Sequence, residues 1–159
     1  MSPARKPVRL HRISIGAALL AIAAAPFALA GPAHATTTAN GCSVTPLAPV
    51  FAGVAGPPPV VKQIRYNVVL ACAPGRTVEV QQMFFEDDAP PDPDDFTGTS
   101  INTWNPTGII TRGTTAPLSN TEAGPETIYQ RVRFRVTPVG GVQSAWTPFE
   151  SSGSLTITN

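Results

Sequence analysis

Hydrophobic and polar positions alternate along two long stretches of this chain, residues 63–73 and 127–137. A period of two places successive side chains on opposite faces of a strand, so each stretch is predicted to be a half-buried β-strand. After residue 36, no stretch keeps the 3.6-residue period of an amphipathic helix over a normal helix length. The pattern therefore predicts an all-β fold, with these inward residues in the two strands: Ile64, Tyr66, Val68, Leu70, Cys72, Ile128, Val132, Phe134 and Val136.

Shorter alternating runs and turn residues predict the rest of the fold. Loops rich in proline, glycine or acidic residues are expected at 51–59, 86–95 and 116–125. About six to eight short strands, with turns roughly every 8–12 residues, are typical of an antiparallel β-sandwich. The further predicted strands are residues 42–47, 77–86 with a bulge at Gln81 and Gln82, one or two within 96–115, 142–149 after a Gly140-Gly141 turn, and 155–158.

The stretch from Tyr129 to Trp146 resembles the last hairpin of fibronectin type III and related immunoglobulin-like domains. A strand that begins with tyrosine alternates arginine with aliphatic residues, and then turns through glycine towards the Ser144-Ala145-Trp146 triplet. The resemblance implies an immunoglobulin-like or fibronectin III-like sandwich. It implies no function, because such sandwiches serve many roles.

The N-terminal segment has the three parts of a secretory signal peptide. Four basic residues lie within the first twelve, an uncharged apolar run follows at 13–25, and small residues flank His34. We expect the signal peptide to be cleaved near Ala35, and this predicts that the protein is secreted. The expected organisation is a signal peptide at 1–35, a flexible leader at 36–41 and a single β-sandwich domain at 42–159.

Cleavage at this point changes the chemistry of the product. Both histidines, His11 and His34, lie in the predicted signal, so the remaining 124 residues hold no imidazole for catalysis, metal binding or pH switching. The signal also removes four of eleven basic residues, which leaves a formal net charge of −3. Without basic runs or a later apolar span, nucleic acid, membrane insertion and a cofactor are not expected. We expect the protein not to be an enzyme.

The only two cysteines, Cys42 and Cys72, are expected to form one disulfide, because export places them in an oxidising compartment.

An acidic stretch supplies the one candidate metal site. Six carboxylates lie between residues 86 and 95, and Asp92, Asp94 and Asp95 are a weak candidate for calcium binding. Phe96 falls where an EF-hand loop needs its third ligand, and prolines restrict how the loop can wrap. A solvated loop that carries no metal is the favoured alternative.

Arg131, Arg133 and Arg135 lie on one strand face and are the best candidates for a partner surface. The alternative is a polar outer face whose arginines pair with glutamates such as Glu79. Trp104 lies in a polar segment and could stack on a sugar ring, whereas Trp146 is expected to be in the core.

These residues predict a secreted, non-enzymatic module that binds an extracellular protein or glycan. The alternative is an inhibitor of an extracellular hydrolase, which would present a proline-stiffened loop at 56–60 or 88–96.

Overall fold

The computed structural model describes residues 36–88, 93–118 and 124–158, which contain ten β-strands and no helix. The predicted signal peptide lies outside the described residues. The all-β prediction is confirmed. The strands are β1 Thr37–Ala39, β2 Cys42–Pro46, β3 Val50–Ala55, β4 Val61–Cys72, β5 Arg76–Glu86, β6 Asp95–Trp104, β7 Gly108–Pro117, β8 Glu126–Pro138, β9 Glu150–Ser151 and β10 Leu155–Ile157.

The strands form two antiparallel sheets packed together, which confirms the predicted β-sandwich. In sheet I, β4 is central: β2 and β3 pair with successive halves of one edge, and β7 pairs along the other. β1 extends this sheet beyond β2. Sheet II has the order β10-β8-β5-β6, and β9 also pairs with β8. The chain crosses between sheets after β4, β6 and β7, so the core lies between β4 on one side and β5 and β8 on the other.

In the described residues the core forms two hydrophobic clusters, built mainly from the inward faces of these three strands and completed by Cys42 and Val44 of β2, by Leu118 and by Ile157 of β10. Every inward residue predicted for the two long strands is buried. The first cluster contains the two cysteines, and the second contains Tyr66, whose ring stacks on Phe84 with centroids 4.0 Å apart. Apolar side chains at alternate positions therefore position all three central strands.

The disulfide predicted between Cys42 and Cys72 is present. The two residues lie opposite each other on the neighbouring strands β2 and β4. The bond therefore lies within sheet I, where it fixes an edge strand to the central strand.

Two buried glutamines interrupt the apolar core. Gln82 and Gln130 have no exposed surface, and Gln82 donates a hydrogen bond of 2.8 Å to the side-chain oxygen of Gln130. Gln82 also donates to the Tyr66 carbonyl at 3.0 Å, which joins the two sheets. The bulge predicted at Gln81 and Gln82 is therefore wrong: Gln82 keeps the inward phase, and the irregularity lies between Phe84 and Phe85.

The expected leader contains a strand. β1 pairs with β2 through the two-residue turn Asn40-Gly41, whose φ angles are 47° and 78°. Positive φ at both turn positions is the type I′ geometry that Asn-Gly favours and that matches the twist of a hairpin. β1 therefore occupies residues 37–39 of the segment for which a flexible leader is expected.

The loop expected at 51–59 is also wrong over its first half, because β3 pairs with β4 through residue 55. β3 is exposed on both faces and therefore shows no alternation. β6 and β7 have ten residues each, longer than the short strands expected within 96–115.

Candidate interaction surface

The three candidate arginines project from the outer face of sheet II. They alternate along β8 with buried residues, and they lie opposite Met83, Gln81 and Glu79 of β5. The register brings Arg131 beside Met83 and Arg135 beside Glu79. The predicted shared face of Arg131, Arg133 and Arg135 is therefore the outer surface of one sheet.

Their guanidinium groups alternate with aromatic rings. Arg135 lies 4.5 Å from the ring centroid of Trp146, and Arg133 lies 4.9 Å from the same ring and 4.6 Å from that of Phe149. Arg131 lies 5.4 Å from Phe149 and 5.9 Å from Phe85. These distances are those of cation–π contacts. We call this set the arginine–aromatic ladder: Arg135, Trp146, Arg133, Phe149, Arg131 and Phe85.

Further aromatic rings extend the ladder towards β6. Phe85 stacks on Tyr129 with centroids 5.3 Å apart, and Phe96 meets Phe85 edge-on at 5.7 Å. Phe96 is 54 % exposed, and Ile101, opposite Gln81 on the same face, is 56 % exposed. The outer face thus joins arginines to an apolar area.

Residues 142–149 place two of the rings, although they do not form the ladder strand that was predicted. The main-chain nitrogens of Ser144 and Thr147 donate to the carbonyls of Val136 and Phe134. The hydroxyls of the same two residues accept from the main-chain N–H groups of Val136 and Phe134, each at 3.0 Å. At both positions a side-chain hydroxyl accepts the hydrogen bond that a main-chain carbonyl would accept between two regular strands.

From Ser144 to Thr147 the segment covers three residues, while the facing part of β8, from Val136 to Phe134, covers two. Trp146 and Phe149 share that spacing, and both rings contact the arginines. Trp146 is half-buried on the outer face, so the expectation that it packs inside the core is wrong. Its ring covers arginine side chains instead of filling the space between sheets.

The three arginines differ in their charge partners. Two nitrogens of Arg135 contact the Glu79 carboxylate at 2.9–3.1 Å, so the expected pairing with this glutamate is observed. Arg133 donates at 2.8 Å to the neutral side-chain oxygen of Gln81. Arg131 is exposed, and no carboxylate of the described residues lies within ion-pairing distance of it. Arg131 and Arg133 therefore both lack a carboxylate partner among the described residues, and Arg131 is the more exposed of the two.

A tyrosine–carboxylate contact lies at the end of the ladder. The Tyr129 hydroxyl donates to a carboxylate oxygen of Asp94. Burial, followed by this hydrogen bond and the negative charge of Asp94, raises the pKa of Tyr129 to about 12. The tyrosine therefore stays neutral at physiological pH.

The calcium candidates are described only in part. Asp92 lies outside the described residues, Asp94 is engaged by Tyr129, and Asp95 begins β6 opposite Glu86. Within the described ranges, no three His, Cys, Asp or Glu residues are close enough to hold a metal ion.

Trp104 lies on the other face of sheet II from the arginines. It is opposite the buried Val78 and packs against the first core cluster. The structure therefore separates it from Arg131, Arg133 and Arg135.

The sequence interpretation missed Phe85, Phe96, Ile101 and Phe149 as residues of this surface. The three-residue spacing of Trp146 and Phe149 was the available signal, but it was interpreted as part of a regular strand.

A comparison with models of protein families and a comparison with curated proteins found no match to this chain. In the part of the chain that the structure describes, no helix of a length and hydropathy suited to crossing a membrane is found. The fold defines the class as a disulfide-containing β-sandwich.

Proposed function

We propose that this protein is an extracellular, non-enzymatic binding module whose contact surface is the outer face of sheet II. The observation that carries the proposal is the arginine–aromatic ladder, in which Arg131 is exposed and shares the outer face of sheet II with the exposed Phe96 and Ile101 of β6. The basic and apolar N-terminal segment supports export.

The composition of this face supports a binding role. Arginine and aromatic residues are enriched among the residues that contribute most to protein–protein binding energy. Stacking between Phe149 and Phe85 already restricts Arg131, so less side-chain entropy is lost when a partner binds. The face is thus preorganised without any rearrangement of β8.

The chemistry of the face favours a partner protein that presents a carboxylate next to apolar side chains. The carboxylate would pair with the guanidinium of Arg131, whose charge no described carboxylate neutralises. The apolar side chains would cover Phe96 and Ile101, which are both more than half exposed.

The test compares two arginine variants as bait in the native culture medium. Arg131→Glu reverses the exposed charge, whereas Arg112→Glu makes the same change at an exposed position on β7 of the other sheet. We expect the wild-type protein and Arg112→Glu to retain the same protein, and Arg131→Glu to lose it by at least tenfold. Equal retention by Arg131→Glu would reject this surface, and selective retention of a glycan would reject the proposed partner class.

Arg133 and Arg135 are poorer choices for this test. Arg135 forms an ion pair with Glu79 and Arg133 donates to Gln81, so their removal would also break contacts between β8 and β5. Arg131 contacts the rings of Phe149 and Phe85, but no carboxylate of the described residues pairs with it.

A second candidate function is inhibition of an extracellular hydrolase through residues 56–60. Every residue of this segment is exposed, as docking into a cleft requires. Only an inhibitor would reduce the activity of one enzyme stoichiometrically in a panel of proteases and glycosidases. Replacing Pro57 and Val60 by glycine should then weaken the inhibition, while the Arg131→Glu variant should inhibit normally.

A further inference from the structure

The exposed apolar residues of sheet I concentrate on β3 and on the segment that joins it to β4. Residues 50–61 contain only valine, phenylalanine, alanine, glycine and proline. The large side chains are well exposed: Val50 45 %, Phe51 53 %, Val54 58 %, Val60 56 % and Val61 39 %. By the register with β4, Phe51 and Val54 lie on the side of sheet I that carries Ile64, and Val50 and Val61 lie on the outer side. Exposed apolar residues scattered singly are ordinary, but a group that lines both faces of one strand edge indicates a contact surface at that edge.

β3 is also an edge strand. Among the strands that the structure describes it pairs with β4 alone, so alternate N–H and C=O groups of β3 point away from the sheet. A bulge between Phe51 and Gly53 limits regular pairing along this edge. Any partner must therefore be held mainly by side-chain contacts, with a short run of main-chain hydrogen bonds.

The opposite edge of the same sheet, β7, carries exposed charged and polar side chains that β3 lacks. β7 exposes Ile109, but it also carries the exposed Arg112 and several threonines. Charged side chains on an edge discourage association with another strand. β3 carries no charged side chain, so its edge is unprotected in this respect.

The geometry points to a second copy of this chain as the occupant of β3. A two-fold axis beside the strand would place β3 of each copy antiparallel to the other, with the same residues on both sides of the contact. The strip is neutral, so two copies can meet there without juxtaposed like charges, although residues 36–159 carry a net charge of −3. Its occupant must be apolar, uncharged and extended, and β3 itself has all three properties.

The size of the patch sets the expected strength of the dimer. Five partly exposed side chains and one short strand make a small contact, and interfaces below about 1,200 Å² of total buried area are typical of transient complexes. We therefore expect a reversible dimer with a dissociation constant of about 1–100 µM.

Sedimentation equilibrium between about 1 and 500 µM tests this interface on the full chain, expressed with its own N-terminal segment and purified as the cells release it. Val54→Lys adds a charge to β3, and Ile109→Lys makes a comparable change on β7. We expect the wild type and Ile109→Lys to dimerise alike, and Val54→Lys to bind at least tenfold more weakly.

A thermal-midpoint control separates a loss of folding from a loss of the contact between two copies. Val54 is exposed but lies opposite Lys62, so the thermal midpoint of Val54→Lys is measured against that of the wild type; if it falls, Val54→Glu, which places a carboxylate opposite Lys62, replaces it. A wild-type protein that stays monomeric at the highest concentration would overturn the inference. So would a dimer that both β3 variants leave intact, or one that only Ile109→Lys dissociates.

Discussion

At the scale of single residues, the buried glutamines show how polar groups are accommodated between the sheets. The pairing of β2 with β4 ends at Val68 and that of β3 ends at Arg65, so Tyr66 and Asn67 have no strand partner on this edge. Gln130 donates to the carbonyls of Asn67 and Leu47 at 2.7 and 2.8 Å. The amide groups thus satisfy main-chain oxygens where the edge strand is broken.

Replacing Gln130 by leucine should therefore destabilise the fold strongly. The change removes the acceptor of the Gln82 side-chain N–H and the donor to the carbonyls of Leu47 and Asn67, although Asn67 still accepts from the Leu47 nitrogen. Each buried polar group left unsatisfied costs about 1–3 kcal/mol. We expect the free energy of unfolding in urea to fall by about 2–4 kcal/mol. Gln63→Leu, a half-buried position on β4, is the control and should change it by less than about 0.5 kcal/mol. A loss as small for Gln130→Leu as for the control would contradict the role of the network.

The two tyrosines predict a loss of stability at alkaline pH. Burial, with a smaller contribution from the negative charge of Glu86, raises the pKa of Tyr66 to about 12. The unfolded chain ionises near pH 10, so between pH 10 and 12 the folded state binds more protons and stability falls as pH rises. Tyr66 alone should account for about 2–3 kcal/mol, all of it present below pH 10.

Tyrosinate absorbance measures this directly, because the chain has only two tyrosines. In the folded protein both should ionise near pH 12, and in urea both should ionise near pH 10. The alkaline loss of stability should be smaller in Tyr66→Phe. Ionisation of either folded tyrosine near pH 10 would show that its environment is wrongly assigned.

At the scale of elements, residues 142–149 are fixed to β8 by hydroxyl groups and rings together. Thr147 illustrates the arrangement: its nitrogen donates to Phe134 and its hydroxyl accepts from Phe134. Its replacement by valine keeps the shape of the side chain but removes the acceptor.

Thr147→Val should lower the free energy of unfolding by about 1–2 kcal/mol, because the N–H of Phe134 loses its acceptor. Hydrogen exchange should show faster exchange at the Phe134 amide, with amides of β4 unaffected. Thr147→Ser keeps the hydroxyl and should restore most of the protection. Equal exchange in the valine and serine variants would rule out the hydroxyl as the acceptor that holds this segment.

Elements with one buried face were predictable, and elements without one were not. β4 and β8 alternate strictly because one face of each lies in the core. β3 was missed because both of its faces are exposed, so no alternation is selected. Gln82 obscured the pattern of β5 because an inward glutamine cannot be distinguished from an outward one by polarity.

The candidate surface was predictable only in part. The shared face of the arginines follows from the period of two, and this placement was correct. The rings that contact them come from a segment with a period of three, which the strand pattern does not describe. The Asn40-Gly41 turn carried a usable signal, but its hairpin begins in a polar segment with no core-facing run.

At the scale of the whole molecule, the two proposed contacts use different sheets. The outer face of sheet II would bind a partner protein, and β3 at the edge of sheet I would bind a second copy. The Arg131→Glu and Val54→Lys variants should therefore act independently, each weakening one association at least tenfold and leaving the other unchanged.

The disulfide has a separate role, because it stabilises the fold without joining the sheets. Cys42 and Cys72 are 30 residues apart in sequence and directly opposite in sheet I, so the bond chiefly restricts the unfolded chain. Reduction should lower the free energy of unfolding by about 3–4 kcal/mol in the chain-entropy model. The packing of the sheets depends on the core, so the near-ultraviolet circular dichroism of the folded protein should survive reduction.

Urea unfolding with and without reductant measures the difference in the free energy of unfolding. The control is the Cys42→Ala/Cys72→Ala double variant, which should not respond to reductant. An unchanged free energy on reduction would mean that the unfolded chain gains little freedom when this loop is opened.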